Sequence, residues 1–301
     1  MKILLTGAQG QVGQEIVELS QRSPGELISF SKSELDITNF QQLEAAIQAG
    51  HPHLVINMAA YTAVDKAEQE AERAFAVNRD GVKNLALLCK RYNLPLIHLS
   101  TDYVFDGRKP TAYVEDDQRA PLNVYGKSKA EGEIILQKEW EKHVIVRTSW
   151  VFGKAGSNFV KTILKLALKQ KELRIVSDQN GCPTAAADLA AALLQLAMQI
   201  SQGQPHWGLF HYCGEPSTNW FEFATRIIHY GKAYFPLKVE KLHSILSEAF
   251  PTLATRPKNS ILNREKIESA YAIKPSAWEQ ALIPVIKYLH EKEEWRENLS
   301  S

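Results

Sequence analysis

Cysteine is scarce in this chain of 301 residues: three, Cys89, Cys182 and Cys213, odd in number and widely spaced. No C-x-x-C pair occurs, so neither a cysteine zinc site nor a disulfide framework is indicated, and free thiols fit a reducing compartment. The nine histidines include no H-x-x-H or H-E-x-x-H pair, which removes the usual histidine metal site. An excess of charge is also missing. Lys and Arg number 35 against 34 Asp and Glu, so no basic field marks a nucleic-acid or anionic-membrane partner. Long apolar runs are absent. The opening "MKILLTGAQG" turns polar at Thr6, short of a signal-peptide core, and nothing approaches the ~18 apolar residues of a membrane span. No internal repeat or low-complexity segment occurs. The cytoplasm is the expected location, with neither nucleic acid nor membrane as partner.

What is present is an alternation of short apolar runs and helix-period segments. Strands are predicted at Ile3–Thr6, Leu27–Phe30, Leu54–Met58, Leu96–Ser100, Val144–Thr148, Leu173–Ser177 and Leu209–Tyr212. The runs are continuous rather than alternating, as in parallel strands covered on both faces. Helices are predicted at Gly13–Ser20, Phe40–Gln48, Ala67–Tyr92, Ser128–Trp140 and Asn158–Gln170, each with apolar residues at three- and four-residue spacing. The fold class is therefore α/β, a Rossmann-like doubly wound parallel sheet. After about Gly153 prolines become frequent and elements shorten. Residues 1–153 are expected to form a dinucleotide-binding domain and 154–301 a smaller α/β substrate domain, with 185–213 free to return to the main sheet. The tail "EKEEWRENLSS" reads as a solvated helix end.

Directly after the first strand stands "TGAQGQVG", with Gly7, Gly10 and Gly13 in the pattern G-x-x-G-x-x-G. Glycines there let the backbone approach a pyrophosphate, and a following helix N-terminus favours its charge. A bare glycine pattern is common; its place between a strand and a helix is what makes it a phosphate loop. The second strand ends in Ser31-Lys32-Ser33, with no acid at the strand end for a ribose 2′-hydroxyl. Lys32 and the hydroxyls suit a 2′-phosphate, which favours NADPH and leaves NADH open. A solvated turn of the same composition is the plainer alternative. Asp36 and Ile37, a few residues on, are placed to approach the adenine.

In "LNVYGKSKAEGE", Tyr125 and Lys129 are four apart at a helix start and share a face. A phenol is a poor acid at neutral pH, and an ammonium beside it is expected to lower its pKa. That pair suits protonation of a carbonyl oxygen during reduction. On spacing alone the pair is commonplace; it gains weight from the phosphate loop and from "STD" at the end of the fourth strand.

Taken together, "ILLTGAQGQVG", "VINMAAYTAVDKAE", "STDYVFDG", "PLNVYGKSKAEGE", "RTSWVFG", "NFVKTIL", "DQNGCPT" and "RPKNSILN" cover most of the chain. In that order they resemble the extended short-chain dehydrogenase/reductases and, among these, the dTDP-4-dehydrorhamnose reductases. The resemblance implies NADPH-dependent reduction of the C4 ketone of a dTDP-4-keto-6-deoxy sugar, giving dTDP-L-rhamnose. It implies Tyr125 as general acid, Lys129 on the nicotinamide ribose, and Thr101 on the substrate carbonyl. Gly7, Gly10, Gln11, Val12 and Gly13 would surround the pyrophosphate, and Ala59, Ala60 and Tyr61 would line the cofactor. Thr62, Val64, Asp102, Tyr103 and Trp150 would face the sugar, with Asn158, Arg256 and Asn259 toward the nucleotide end.

Plainer readings stand beside these. Trp150 could cap the sheet as a core tryptophan. Asp102 could serve only its own loop. Lys161, Lys165 and Lys169 read as a solvated helix face rather than a diphosphate site. His98 reads as a satisfied core residue, and Cys182 has no activating neighbour in sequence. Some members of the resembled family hold a carboxylate-bound magnesium at a dimer interface. Glu15 stands in a suitable position but the other carboxylates do not assemble, so magnesium and a homodimer stay open. Two other functions compete: a nucleotide-sugar epimerase or dehydratase that recycles bound NAD⁺, and a non-catalytic dinucleotide-binding subunit like that of methionine adenosyltransferase. The intact set Thr101, Tyr125 and Lys129 argues against the second.

Overall fold

The structure, a computed structural model, describes residues 1–22, 25–292 and 295. Its strands are β1 (Lys2–Thr6), β2 (Glu26–Phe30), β3 (Leu54–Asn57), β4 (Leu96–Thr101), β5 (His143–Thr148) and β6 (Val151–Phe152). They continue as β7 (Glu172–Val176), β8 (Asn180–Gly181), β9 (Thr184–Ala185), β10 (Gly208–His211), β11 (Thr218–Asn219) and β12 (Lys241–Ile245). The helices of the first half are α1 (Gln11–Ser20), α2 (Phe40–Gly50), α3 (Val64–Ala67), α4 (Ala71–Phe75), α5 (Val82–Arg91) and α6 (Val124–Glu139). Those of the second are α7 (Phe159–Lys169), α8 (Ala186–Ser201), α9 (Trp220–Gly231), α10 (Glu265–Tyr271) and α11 (Trp278–Glu291).

Six strands form one parallel sheet in the order β10-β5-β4-β3-β1-β2. Apolar runs such as "ILL" and "LVI" are covered on both faces, so every second residue need not be polar. Ile3, Leu5, Leu54 and Ile56 face α1 and α8, while Leu4, Val55 and Leu96 face α2, α5 and α6. The strand order reverses between β1 and β3, and their carboxyl ends open the crevice where such sheets bind ligands. A separate core joins α7, α9, α11 and β7.

Two predicted elements differ. The single helix expected over Ala67–Tyr92 is α3, α4, a π-helical stretch Ala76–Gly81 and α5. The π stretch turns Asn78 inward, where its Nδ2 donates to Tyr61 O at 3.0 Å and Ser128 Oγ at 2.9 Å. The Tyr61 N–H donates to Asn78 Oδ1 at 2.9 Å, so the bulge exists to hold the loop after β3 against α6. The strand expected at Leu173–Ser177 is not covered on both faces. As β7 it pairs with β12 apart from the main sheet, burying Leu173 and Ile175 and exposing Glu172 and Arg174. The tail 291–301 lies mostly outside the described residues, but Trp295 is described and buried at 4% exposure, within reach of Phe235.

Candidate active site

The cleft over the β1/β3 crevice has a volume of about 580 Å³, within the range of small-molecule sites. One end is the glycine loop. Gly7 has φ +72°, and a Cβ there would stand 2.6 Å from Ala59 N. A Cβ on Gly13 would stand 2.3 Å from Gly7 O, which closes α1 onto the loop. Gly10 caps α1 with no side-chain hydrogen bond, so first-turn N–H groups face the cleft for an anion to take. Gly7, Gly10, Gln11, Val12 and Gly13 all line it.

Beside the loop, Lys32, Asp36 and Ile37 line the cleft. Ser31 does not. It is buried, its Oγ lies 3.0 Å from Ser33 Oγ, and it borders a neighbouring hollow. The Asp36 carboxylate accepts from the Thr38 N–H and hydroxyl at 2.9 and 2.8 Å, leaving its side chain engaged in a turn. An acid unexpected at this strand end is Glu34, which accepts from the Ser31 N–H at 2.7 Å. The Ser31 hydroxyl and N–H hold its carboxyl below the ordinary value.

Beyond β3 the wall is Met58, Ala59, Ala60, Tyr61, Thr62 and Val64. The far end gathers Thr101, Asp102, Tyr103, Tyr125, Lys129 and Trp150. The N-terminus of α6 sets Tyr125 and Lys129. Asn123 accepts from the Gly126 N–H at 2.8 Å, and Glu68 accepts from the Val124 N–H at 2.8 Å. Gly126 lets the helix approach, since a Cβ there would meet Tyr103 O at 2.2 Å. The inward face of α6 is polar (Ser128, Lys129, Glu133), which is why its apolar period is faint in sequence.

The electrostatics differ from expectation. Lys129 was expected to lower the Tyr125 pKa. In the structure burial pushes that phenol up to about 12, and the Thr101 hydroxyl opposes the rise while Asp102 adds to it. Lys129 turns instead to Leu99 O, 2.7 Å from its Nζ. Burial brings the Lys129 ammonium down to about 8, against the pull of Glu133. The site thus holds a protonated phenol beside a lysine charged at neutral pH.

Thr101 Oγ1 donates to Asp102 Oδ1 at 3.0 Å and accepts from the Tyr103 N–H at 3.2 Å. Asp102 is buried, its Oδ2 unbonded, and burial lifts its pKa to about 6 against the Ser260 and Thr101 hydroxyls. Tyr103 stands edge-on to Tyr125, ring centres 5.9 Å apart. Trp150 holds a left-handed φ of +48° and stacks on Trp220 at 3.5 Å between centres, over Gly181.

Besides Ser31, three predicted residues lie outside the cleft lining. Asn158 caps α7 and donates to Gln11 Oε1 and Gly153 O, both at 2.9 Å, steadying the loop through Gln11. Arg256 pairs with Asp65 at 2.7 Å beside Tyr103, at the rim. Asn259 donates to Lys109 O and Thr111 O at 2.7 and 3.0 Å and accepts from the Ile261 N–H, so its amide is fully engaged. Lys161, Lys165 and Lys169 do not line the cleft. Cys182 has a neighbour the sequence did not reveal: Cys213, in the same buried cluster. Gln9, Ser100, Ser149 and Trp220 also line the cleft. Of these, Trp220 carried no signal, because it reaches the site from the second core.

At the magnesium position, Lys154 Nζ stands 3.9 Å from Glu15 and 3.5 Å from Glu18. Among the described residues no group of three or more His, Cys, Asp or Glu is arranged to hold a metal. Within this chain the Lys154 ammonium answers both Glu15 and Glu18.

The family model described as RmlD substrate binding domain matches residues 1–291. The dTDP-4-dehydrorhamnose reductase of Aggregatibacter actinomycetemcomitans is 44% identical over 95% of this chain and 99% of that one. A crystal structure of a dTDP-4-dehydrorhamnose reductase from Clostridium acetobutylicum superposes with TM-score 0.89 at 36% identity, covering 96% of this chain and 99% of the other. One from Bacillus anthracis, in complex with NADP, gives TM-score 0.88 at 36% identity over 95% and 98%.

Proposed function

The chain belongs to the RmlD substrate binding domain family, its relatives include several dTDP-4-dehydrorhamnose reductases, and on that premise we propose that it reduces dTDP-4-dehydro-L-rhamnose to dTDP-L-rhamnose. The observation that carries this reading is the group Thr101, Tyr125 and Lys129 at one end of a cleft whose other end is the glycine loop.

NADPH, when bound, supplies the hydride that reaches C4. The glycine loop fits its pyrophosphate through the free N–H groups at the start of α1, and Lys32 suits its 2′-phosphate. The bound NADP of the Bacillus anthracis relative agrees with that choice. As C4 becomes tetrahedral its oxygen gains negative charge and needs a proton. Tyr125, protonated at neutral pH, delivers it. The Thr101 hydroxyl, now on Asp102, can turn to the same oxygen and orient the ketone. The phenolate left behind lies one helical turn from the Lys129 ammonium, while the Thr101 hydroxyl is the group that favours the anion in the structure. Thr62, Val64, Asp102, Tyr103 and the Trp150 indole surround the sugar.

The test is oxidation of NADPH by dTDP-4-dehydro-L-rhamnose, followed at the reduced nicotinamide band. Turnover is expected, falling about 10²–10⁴-fold in Tyr125→Phe, which keeps the ring and loses the proton. Equal rates in the two proteins would remove Tyr125 from the chemistry. Stoichiometric NAD⁺ in the purified protein without NADPH consumption would point to an epimerase or dehydratase.

A further inference from the structure

Behind Lys129 lies a chain of side chains that the reduction itself does not use. Thr6, Asn57 and His98 stand side by side in register on β1, β3 and β4. His98 is fully buried, and its two ring nitrogens face Asn57 and Lys129.

The tautomer of His98 follows from a backbone group. The Ala59 N–H donates to Asn57 Oδ1 at 3.1 Å, and the Thr6 hydroxyl donates to the same oxygen at 2.6 Å. A backbone N–H can only donate, so it fixes which end of the Asn57 amide is oxygen. The Nδ2 of Asn57 must then point at His98 Nδ1, 2.9 Å away, and that nitrogen must accept. A neutral imidazole accepting at Nδ1 carries its hydrogen on Nε2. Nε2 faces Lys129 Nζ at 3.4 Å, well beyond the ~2.7–2.9 Å of a charge-assisted bond. Leu99 O, by contrast, lies 2.7 Å from the same Nζ. The long distance is what two donors facing each other produce.

We propose that His98 is a positioning residue for Lys129: locked by Asn57 as the neutral Nε2–H form, it denies the ammonium a second inner acceptor besides Leu99 O and directs its remaining hydrogens to the cleft. This rests on the reductase reading for its purpose, though not for its geometry. It also keeps the lysine less basic, because an N–H beside an ammonium favours the amine. The other groups around Lys129 act differently. Glu133, one turn on, favours the charge but is held by Arg147 and Arg119, and Tyr125 lies one turn back. Burial disfavours protonation of His98 most, and the charges of Lys129 and of His143, on β5, act in the same direction.

Nitrogen NMR of histidine-labelled protein, assigned with His98→Gln, tests the tautomer without substrate. A neutral ring protonated at Nε2 and bare at Nδ1, unchanged down to pH 5, is expected. An Nδ1–H ring, or an imidazolium in that range, would overturn the proposal. Asn57→Asp gives the second test. Its two oxygens accept from Ala59 and from His98 Nδ1, which moves the ring hydrogen and leaves a lone pair facing Lys129. In wild type, kcat/KM with NADPH is expected to fall as pH rises through about 8, where Lys129 loses its charge. That alkaline limb should move up by about one pH unit in Asn57→Asp, and likewise in His98→Gln, whose amide oxygen can accept from Lys129. A switched tautomer with an unmoved limb would sink the link to Lys129. Failure of wild type to turn over at all would instead count against the reductase reading, and the NMR result would stand apart from it.

Discussion

Lys32 and Glu34 lie two residues apart on the turn after β2 and pull cofactor choice in opposite directions. Lys32 lines the cleft, where its side chain suits a 2′-phosphate. Glu34 is kept charged by Ser31 and borders the adjoining hollow, facing away from that position. The lysine should therefore decide. Lys32→Ala is expected to weaken NADPH about fivefold, the ~1 kcal/mol of an exposed ion pair, and to leave NADH unchanged. Fluorescence titration of both cofactors measures it, and equal weakening of the two would place Lys32 away from the 2′-phosphate. Such residues were legible because they follow strand ends at fixed offsets. Glu34 was passed over because sequence offsets do not say which way a turn folds its third residue. Asn259 shows the reverse: a polar side chain in a promising motif whose every hydrogen bond closes on neighbouring backbone.

Helix α6 holds Tyr125 and Lys129 at the cleft, and its position depends on one buried ion pair. Arg147 on β5 holds Glu133 at 2.6 Å, both fully buried, while Ser100 at the cleft donates to the same carboxylate at 2.5 Å and Arg119 adds a second cation. Burial alone would raise the Glu133 carboxyl, but the hydrogen bonds and charge of Arg147, with Arg119 and Ser100, outweigh it and hold the pKa below its ordinary value. A depressed carboxylate stabilises the fold above its unfolded value of ~4.3 and loses that contribution as pH falls through the folded one. Glu133→Gln leaves Arg147 buried without a counter-charge and is expected to cost about 3–5 kcal/mol in urea unfolding at pH 7. The gap to wild type should narrow on acidification, and a constant gap would mean the pair is not the source. The network was illegible because its members are far apart in sequence and each looks like an ordinary surface charge. The strands were legible because burial on both faces writes itself as an unbroken apolar run. The break in Ala67–Tyr92 was not, since a π turn alters hydrogen bonding without altering apolar spacing.

Across the whole molecule, the packing of the main sheet does not stop at residue 153. Strand β10 completes the main sheet beside β5, and α8 covers the face that α1 also covers. Leu189, Leu193 and Leu196 of α8 are fully buried there, with Phe210 of β10 at 2% exposure. Without them Leu5, Ile16, Ile56, Ile97 and Val146, all nearly or fully buried, would meet water. At roughly 2 kcal/mol for each large side chain exposed, the loss is comparable to the ~5–15 kcal/mol that holds a folded protein together. The stacked pair Trp150 and Trp220 joins the same two parts across the cleft. A chain ending at residue 153 would keep the glycine loop, Thr101, Tyr125 and Lys129, every group proposed to bind NADPH or move the proton. It is nevertheless expected to show no cooperative thermal transition by circular dichroism and no NADPH binding, while the full chain shows both. A sharp transition in the short chain, with NADPH raising its midpoint, would mean that the first half folds without its cover.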